Sequence, residues 1–170
     1  MRELAPDEKA STVIIYTQSM LIRGDLVLRE NMRVSIWLRT QGVPNYIHLY
    51  NAQMIQLTGS QPRNYAKKEA FIPTSDVLGF HLAPPAQDPP DYDNTETNRT
   101  MEPVHILFGS FEMNAKMRVS TSTDFAAGLD VLNTIWISLY DAEISSSSMP
   151  QLKIAAPMLL ARSNKIVITL

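Results

Sequence analysis

The feature that most constrains what this chain can fold into is an internal repeat. Four blocks of apolar and turn-forming residues occur twice, in the same order and at nearly constant separation. Val13-Ile14-Ile15 is matched by Val104-His105-Ile106. Met20, Ile22, Leu26 and Leu28 are matched by Phe111, Met113, Met117 and Val119, with Gly24 set against Ala115. Tyr46-Ile47-His48-Leu49-Tyr50-Asn51-Ala52 returns as Trp136-Ile137-Ser138-Leu139-Tyr140-Asp141-Ala142. Phe71-Ile72-Pro73-Thr74-Ser75-Asp76 is set against Leu159-Leu160-Ala161-Arg162-Ser163-Asn164, after which Leu78, Phe80 and Leu82 face Ile166, Ile168 and Leu170. The separation drifts only from 91 residues, between Val13 and Val104, to 88, between Phe71 and Leu159. A period held over four blocks points to one supersecondary unit used twice.

The unit reads as β. Successive side chains of a strand point to opposite faces, so period-two alternation marks a half-buried strand, as in Met20 to Leu28. Arg33-Val34-Ser35-Ile36-Trp37-Leu38-Arg39 alternates similarly and is expected to be a strand with Val34, Ile36 and Leu38 on one face. Turn formers bound these runs at residues 41–45, at 58–62 and in the serine run 145–148. A short, glycine-interrupted stretch, Phe125 to Leu132, is the helix candidate. Between the copies, residues 83–93 hold two Pro-Pro pairs. Proline fixes φ and has no N–H for a ladder, so this stretch is expected to run extended over the surface. The expected organisation is an N-terminal arm (1–12), a β-module (13–82), an acidic proline-rich linker (83–103) and a second β-module (104–170), with four or five strands in each module.

The second half of each copy resembles Sm-like proteins. In that family a bent strand ends in a Leu-x-Asp-Ala-type turn and a variable hairpin follows. A last hairpin then carries an Arg-Gly-x-Asn turn and a closing apolar strand. Leu139-Tyr140-Asp141-Ala142, the serine-rich loop and Leu159 to Ile168 are similar in order, and Leu49 to Ala52 with Ile72 to Leu78 is the counterpart in the first copy. The resemblance implies an all-β chain of two tandem small antiparallel β-barrel or roll modules, Sm/SH3-like, related by internal duplication. It carries over RNA contact only at Arg162 and Asn164. Neither copy has the family's Asp-x-x-Met-Asn-type loop, and its Arg-Gly turn becomes Arg162-Ser163 in one copy and Thr74-Ser75 in the other.

Composition removes several kinds of chemistry. The chain has no cysteine, which excludes disulfides, thiolate metal sites and a thiol nucleophile. His48, His81 and His105 stand in separate segments without a partner at ligand spacing, so no metal and no cofactor is expected. The opening MRELAPDEKA lacks the apolar core of a signal peptide, and no apolar run approaches the roughly 20 residues that span a bilayer. A cytoplasmic location is expected, which makes the sequon Asn98-Arg99-Thr100 a chance match. No G-x-S-x-G, Walker-type or G-x-G-x-x-G motif is present. The carboxylate pairs Asp124/Asp130 and Asp141/Glu143 lie in no context that burial would tune for acid–base work. No catalytic residue is expected.

Charge is unevenly spread. Residues 13–82 carry seven basic and four acidic groups, residues 83–103 one and five, and residues 104–170 five of each. Phosphate binding needs several cations on one surface. Arg23, Arg29, Arg33, Arg39, Arg63, Lys67 and Lys68 supply them in the first copy, and Arg33, Arg39, Lys67, Lys68, Arg162 and Asn164 are the candidate nucleic-acid contacts. The competing reading is a solvated face that guards an edge strand, with the acidic linker laid over the basic copy. Tyr46, Tyr50, Trp136 and Tyr140 recur at matched positions, which suits base stacking and core packing alike. Trp37 and Trp136 are expected in a core or an interface, and His48 should point away from Ile47 and Leu49. Two functions follow. The first is a non-catalytic structural or adaptor protein acting through protein–protein contacts, with a homo-oligomer or a protein partner formed at open strand edges. The alternative is an Sm-like RNA or single-stranded nucleic-acid binding protein.

Overall fold

The alternating segments form ten strands: β1 (Glu8–Tyr16), β2 (Met20–Arg29), β3 (Tyr46–Gln56), β4 (Arg63–Pro73), β5 (Gly79–Leu82), β6 (Arg99–Phe108), β7 (Phe111–Ser120), β8 (Trp136–Ser145), β9 (Lys153–Arg162) and β10 (Val167–Thr169). They are described in a computed structural model covering residues 1–59, 61–131 and 134–170. Five strands belong to each half, in an all-β, antiparallel arrangement. The alternation is visible in β7, where Phe111, Met113, Ala115 and Met117 are buried and Glu112, Asn114 and Lys116 are exposed.

The hairpins of the two halves share their registers. Val13 pairs with Gly24 as Val104 pairs with Ala115, and Leu26 pairs with Leu49 as Met117 pairs with Leu139. A bulge interrupts β2 between Arg23 and Asp25, and β7 between Asn114 and Lys116. Opposite each bulge stands the non-glycine residue with positive φ, Asn51 at 50° and Asp141 at 49°. Asn and Asp tolerate this conformation better than other side chains. Each is tied across the bulge, Asn51 Nδ2 donating to Asp25 at 2.8 Å and Lys116 Nζ to Asp141 at 2.8 Å. At Gly24 a Cβ would lie 3.0 Å from both Leu49 Cβ and the Tyr50 carbonyl oxygen, a tight approach, whereas the matched position in β7 holds Ala115.

The strands do not close into two barrels. They join in one open sheet, in the order β10-β6-β7-β8-β9-β5-β1-β2-β3-β4. The expectation of two separate barrel or roll modules is corrected here, because β5 pairs with β1 on one side and with β9 of the other half on the other. Two apolar clusters form, and each borrows across the boundary. One gathers the second half's core with Ile14, Tyr16, Leu21 and Leu78 of the first. The other gathers the first half's core with Trp136 and Leu160 of the second.

Three local expectations change. Arg33 to Arg39 is not a strand; Val34–Arg39 is a 3-10 helix. Val34, Trp37 and Leu38 are buried one turn apart, so the spacing fits a turn of helix as well as a strand. What decides it is distant: Asp88 of the linker accepts the Ser35 N–H at 2.8 Å, capping a donor that the first turn leaves free. The last block of the repeat moves by one residue, because Tyr46 pairs with Pro73 where Trp136 pairs with Arg162. Phe71 therefore corresponds to Leu160, not Leu159. The helix candidate is present as α1 (Phe125–Val131), while its Leu132, like Ser60 of the 58–62 turn, lies outside the described residues. β1 starts at Glu8 and β6 at Arg99, inside the stretches assigned to arm and linker.

Candidate functional site

The surfaces that matter lie at the boundary between the halves and at the two sheet edges. At the boundary, Gly79 pairs with Ala161 and Phe80 with Leu160. Phe80 and Leu160 are both fully buried. Beside them Tyr16 fits an aromatic socket of the second half, its ring 4.9 Å from Phe111 and 5.4 Å from Phe108, both edge-on. The turn at Gly109 makes this approach possible. Its φ is +57°, and a Cβ there would lie 2.8 Å from the Gln18 carbonyl oxygen.

Two polar devices complete the junction. Arg162 lies over the Trp136 ring at 4.6 Å, and donates from Nε to the Val77 carbonyl at 2.9 Å and from a terminal nitrogen to that of Thr74. These carbonyls belong to the 3-10 turn Thr74–Asp76 and its exit, so a planar donor fork satisfies groups on the opposite half. The Arg162 backbone N–H donates to the Leu78 carbonyl at 2.9 Å. His81, buried in β5, has Nδ1 2.6 Å from the Leu82 carbonyl and Nε2 3.0 Å from the Tyr16 hydroxyl. Nδ1–H donating to the carbonyl leaves Nε2 to accept the tyrosine proton, so the site holds a neutral imidazole. Burial is the main cause that lowers the His81 pKa to about 4, against the opposing effect of the Leu82 carbonyl.

The linker crosses the boundary as a strap. Asp91, with a side chain 7% exposed, takes hydrogen bonds from Arg39 at 2.6 Å, Ser138 at 2.7 Å and Tyr140 at 2.6 Å. Burial pushes its carboxyl up, but the two hydroxyls and Arg39 outweigh that and leave it below its ordinary value. Arg33 donates to the Pro89 carbonyl. Arg118 bonds Glu96 at 2.7 Å and lies over Tyr92 at 4.9 Å.

The residues singled out for nucleic acid are therefore scattered. Arg33 and Arg39 are held by the linker, which lies against both halves, and Arg162 is held at the junction. Lys67 and Lys68 are exposed on β4, and Asn164 is exposed beyond β9. Trp37 and Trp136 are buried, Tyr50 and Tyr140 nearly so, and Tyr46 is exposed. His48 points outward, stacked on Phe71 at 4.4 Å and bonded to Glu69 at 2.9 Å. Among the described residues no cluster of three His, Cys, Asp or Glu has the arrangement of a metal site, and no helix is long and apolar enough to cross a membrane.

Sequence reasoning expected open strand edges but not which residues they would expose. β4 and β10 end the sheet, and among the described residues neither has a second neighbour. Phe71 on β4 is 62% exposed and Val167 on β10 58% exposed. Beside β4, Thr17, Met20, Met54, Phe71 and Ile72 line an open groove of about 500 Å³. The apolar character of β10 was legible, but its lack of a second neighbour is a property of the assembled sheet. Comparison with protein-family models, with curated proteins and with solved structures returned no match.

Proposed function

We propose that this protein is a non-catalytic structural protein that self-assembles through its strand edges, built from a β-module that was duplicated within one chain. The observation that carries the reading is that the two end strands, which have one neighbour each among the described residues, bear Phe71 and Val167 in solvent. Short strands and charge blunt such edges in proteins that remain single. Here β10 is three residues long and β4 carries Arg63, Lys67 and Lys68, but Phe71 and Val167 stay uncovered beside them. The shared registers and matched bulges support the duplication. The engagement of the most polar buried groups in structural contacts supports a non-catalytic role: Asp91 holds the linker, Arg162 the junction and His81 the tyrosine behind it.

Sedimentation velocity over a hundredfold range of protein concentration tests the proposal. A weight-average mass that climbs above that of one chain supports it, and a strict monomer throughout overturns it. The nucleic-acid alternative retains Arg63, Lys67, Lys68 and Asn164 in solvent. It requires a gel shift at low ionic strength that weakens with salt.

A further inference from the structure

Each half carries the same strands, so the surfaces that join the halves occur a second time, unpaired, at the ends of the sheet. Ile168 pairs with Ile106 as Phe80 pairs with Ile15, which makes β10 the counterpart of β5. Tyr46 pairs with Pro73 as Trp136 pairs with Arg162, which makes β4 the counterpart of β9. Within the chain β5 pairs with β9. Their counterparts, β10 and β4, have no second neighbour among the described residues.

Resting on the self-assembly reading, we propose that two copies of this chain join head to tail by repeating the internal junction: β10 of one copy pairs antiparallel with β4 of the next. The register carries over residue by residue. Phe80 opposite Leu160 becomes Ile168 opposite Phe71, and Gly79 opposite Ala161 becomes Val167 opposite Ile72. Tyr16, which pairs with Gly79, has Leu107 as its counterpart, since Leu107 pairs with Val167. Tyr16 is fully buried in the Phe108–Phe111 socket, whereas Leu107 is 44% exposed. The place matching that socket on the first half is the turn from Thr17 to Met20, which lines the open groove beside β4. Leu107 of one copy is the side chain that fills this groove on the next. Leu160, Gly79 and Tyr16, buried at the internal junction, thus have exposed counterparts in Phe71, Val167 and Leu107, while Ile168 is half-buried and Ile72 buried.

Sequence differences set the character of the outer junction. Pro73 stands where Arg162 stands inside the chain, so the guanidinium fork is missing and no N–H reaches the Ile166 carbonyl. Gln18, with a side chain, occupies the turn position matching Gly109. The outer junction is therefore weaker than the inner one and forms reversibly. It cannot form between two second halves, because β9 and the Phe108–Phe111 socket are already occupied by β5 and Tyr16 of the same chain. Such contacts are heterologous, so repetition gives a ring where the rotation closes and a filament where it does not.

Cysteine cross-linking tests the register in a chain that has no cysteine of its own. Phe71→Cys and Ile168→Cys change side chains at the free edges, with circular dichroism confirming the fold of each. A directly opposed hydrogen-bonded pair places Cα atoms about 5.5 Å apart, within the range a disulfide bridges. After mild oxidation, the mixture of the two variants should give a disulfide-linked dimer and neither variant alone should do so. Leu107→Asp should weaken association roughly tenfold or more, the loss expected when burial of a leucine is removed. Efficient self-cross-linking of either single variant overturns the head-to-tail arrangement in favour of a two-fold edge pairing. Self-association without any mixed cross-link also overturns it, while leaving the functional reading intact. A strict monomer overturns both.

Discussion

His81 is enclosed between Leu82 and Tyr16, and its chemistry gives the molecule a defined response to acid. The imidazole is neutral when folded, with its pKa lowered to about 4, while an unfolded chain takes up a proton near 6.5. Stability is therefore complete above about pH 6.5 and is lost as pH falls from there towards about 4. The loss is on the order of 3 kcal/mol at the lower end. Urea midpoints measured across this window should fall steeply for the natural chain and much less for His81→Gln. Arg162 supplies a second test at this scale. Arg162→Ala removes the guanidinium donors from the Thr74 and Val77 carbonyls, of which Thr74 keeps only the long bond from the Val77 N–H. It should cost about 2 kcal/mol in denaturant unfolding. Arg162→Lys should recover only part of that, because an ammonium cannot fork. Single residues were unevenly legible in the sequence. Asn51 and Asp141 announced themselves through the repeated Leu-Tyr-Asn/Asp-Ala blocks. Arg162 stood out as a candidate for nucleic acid, since nothing local reveals carbonyls that another half brings to it.

At the scale of elements, the linker is a strap whose fastening is Asp91. Its carboxyl is held below the ordinary value, so the clamp contributes stability above that ordinary value and loses it as pH falls through the lowered one. Asp91→Ala should free residues 83–98 for limited proteolysis while the far-ultraviolet spectrum of the sheet stays unchanged. Strands were legible because alternation is local: β2, β3, β7 and β8 stand where their patterns place them. Two elements defeated the pattern for physical reasons. The segment 34–39 satisfies both periods over so short a length, and its helix depends on an aspartate that lies far away in sequence. In β9 the run Leu159-Leu160-Ala161 is apolar at every step, so a one-residue slip goes unseen until the partner strand sets the register.

For the whole molecule, shared cores mean shared fate. Tyr16 and Leu78 complete one core from outside it, and Trp136 and Leu160 complete the other. Differential scanning calorimetry should show one transition whose calorimetric and van't Hoff enthalpies agree, and two separated transitions would contradict this coupling. The matched blocks were visible in the sequence; the continuous sheet was not, because β5 pairing across the boundary is a long-range choice. The same choice leaves β4 and β10 at the ends of the sheet, and what fills those edges decides whether the chain assembles. Amide hydrogen exchange across β4 and β10, at protein concentrations below and above association, measures that most directly. Slowed exchange at Phe71 and Ile168 that appears only at the higher concentration is the predicted result. Exchange at these two amides that does not change with concentration, while the particle mass rises, would contradict it.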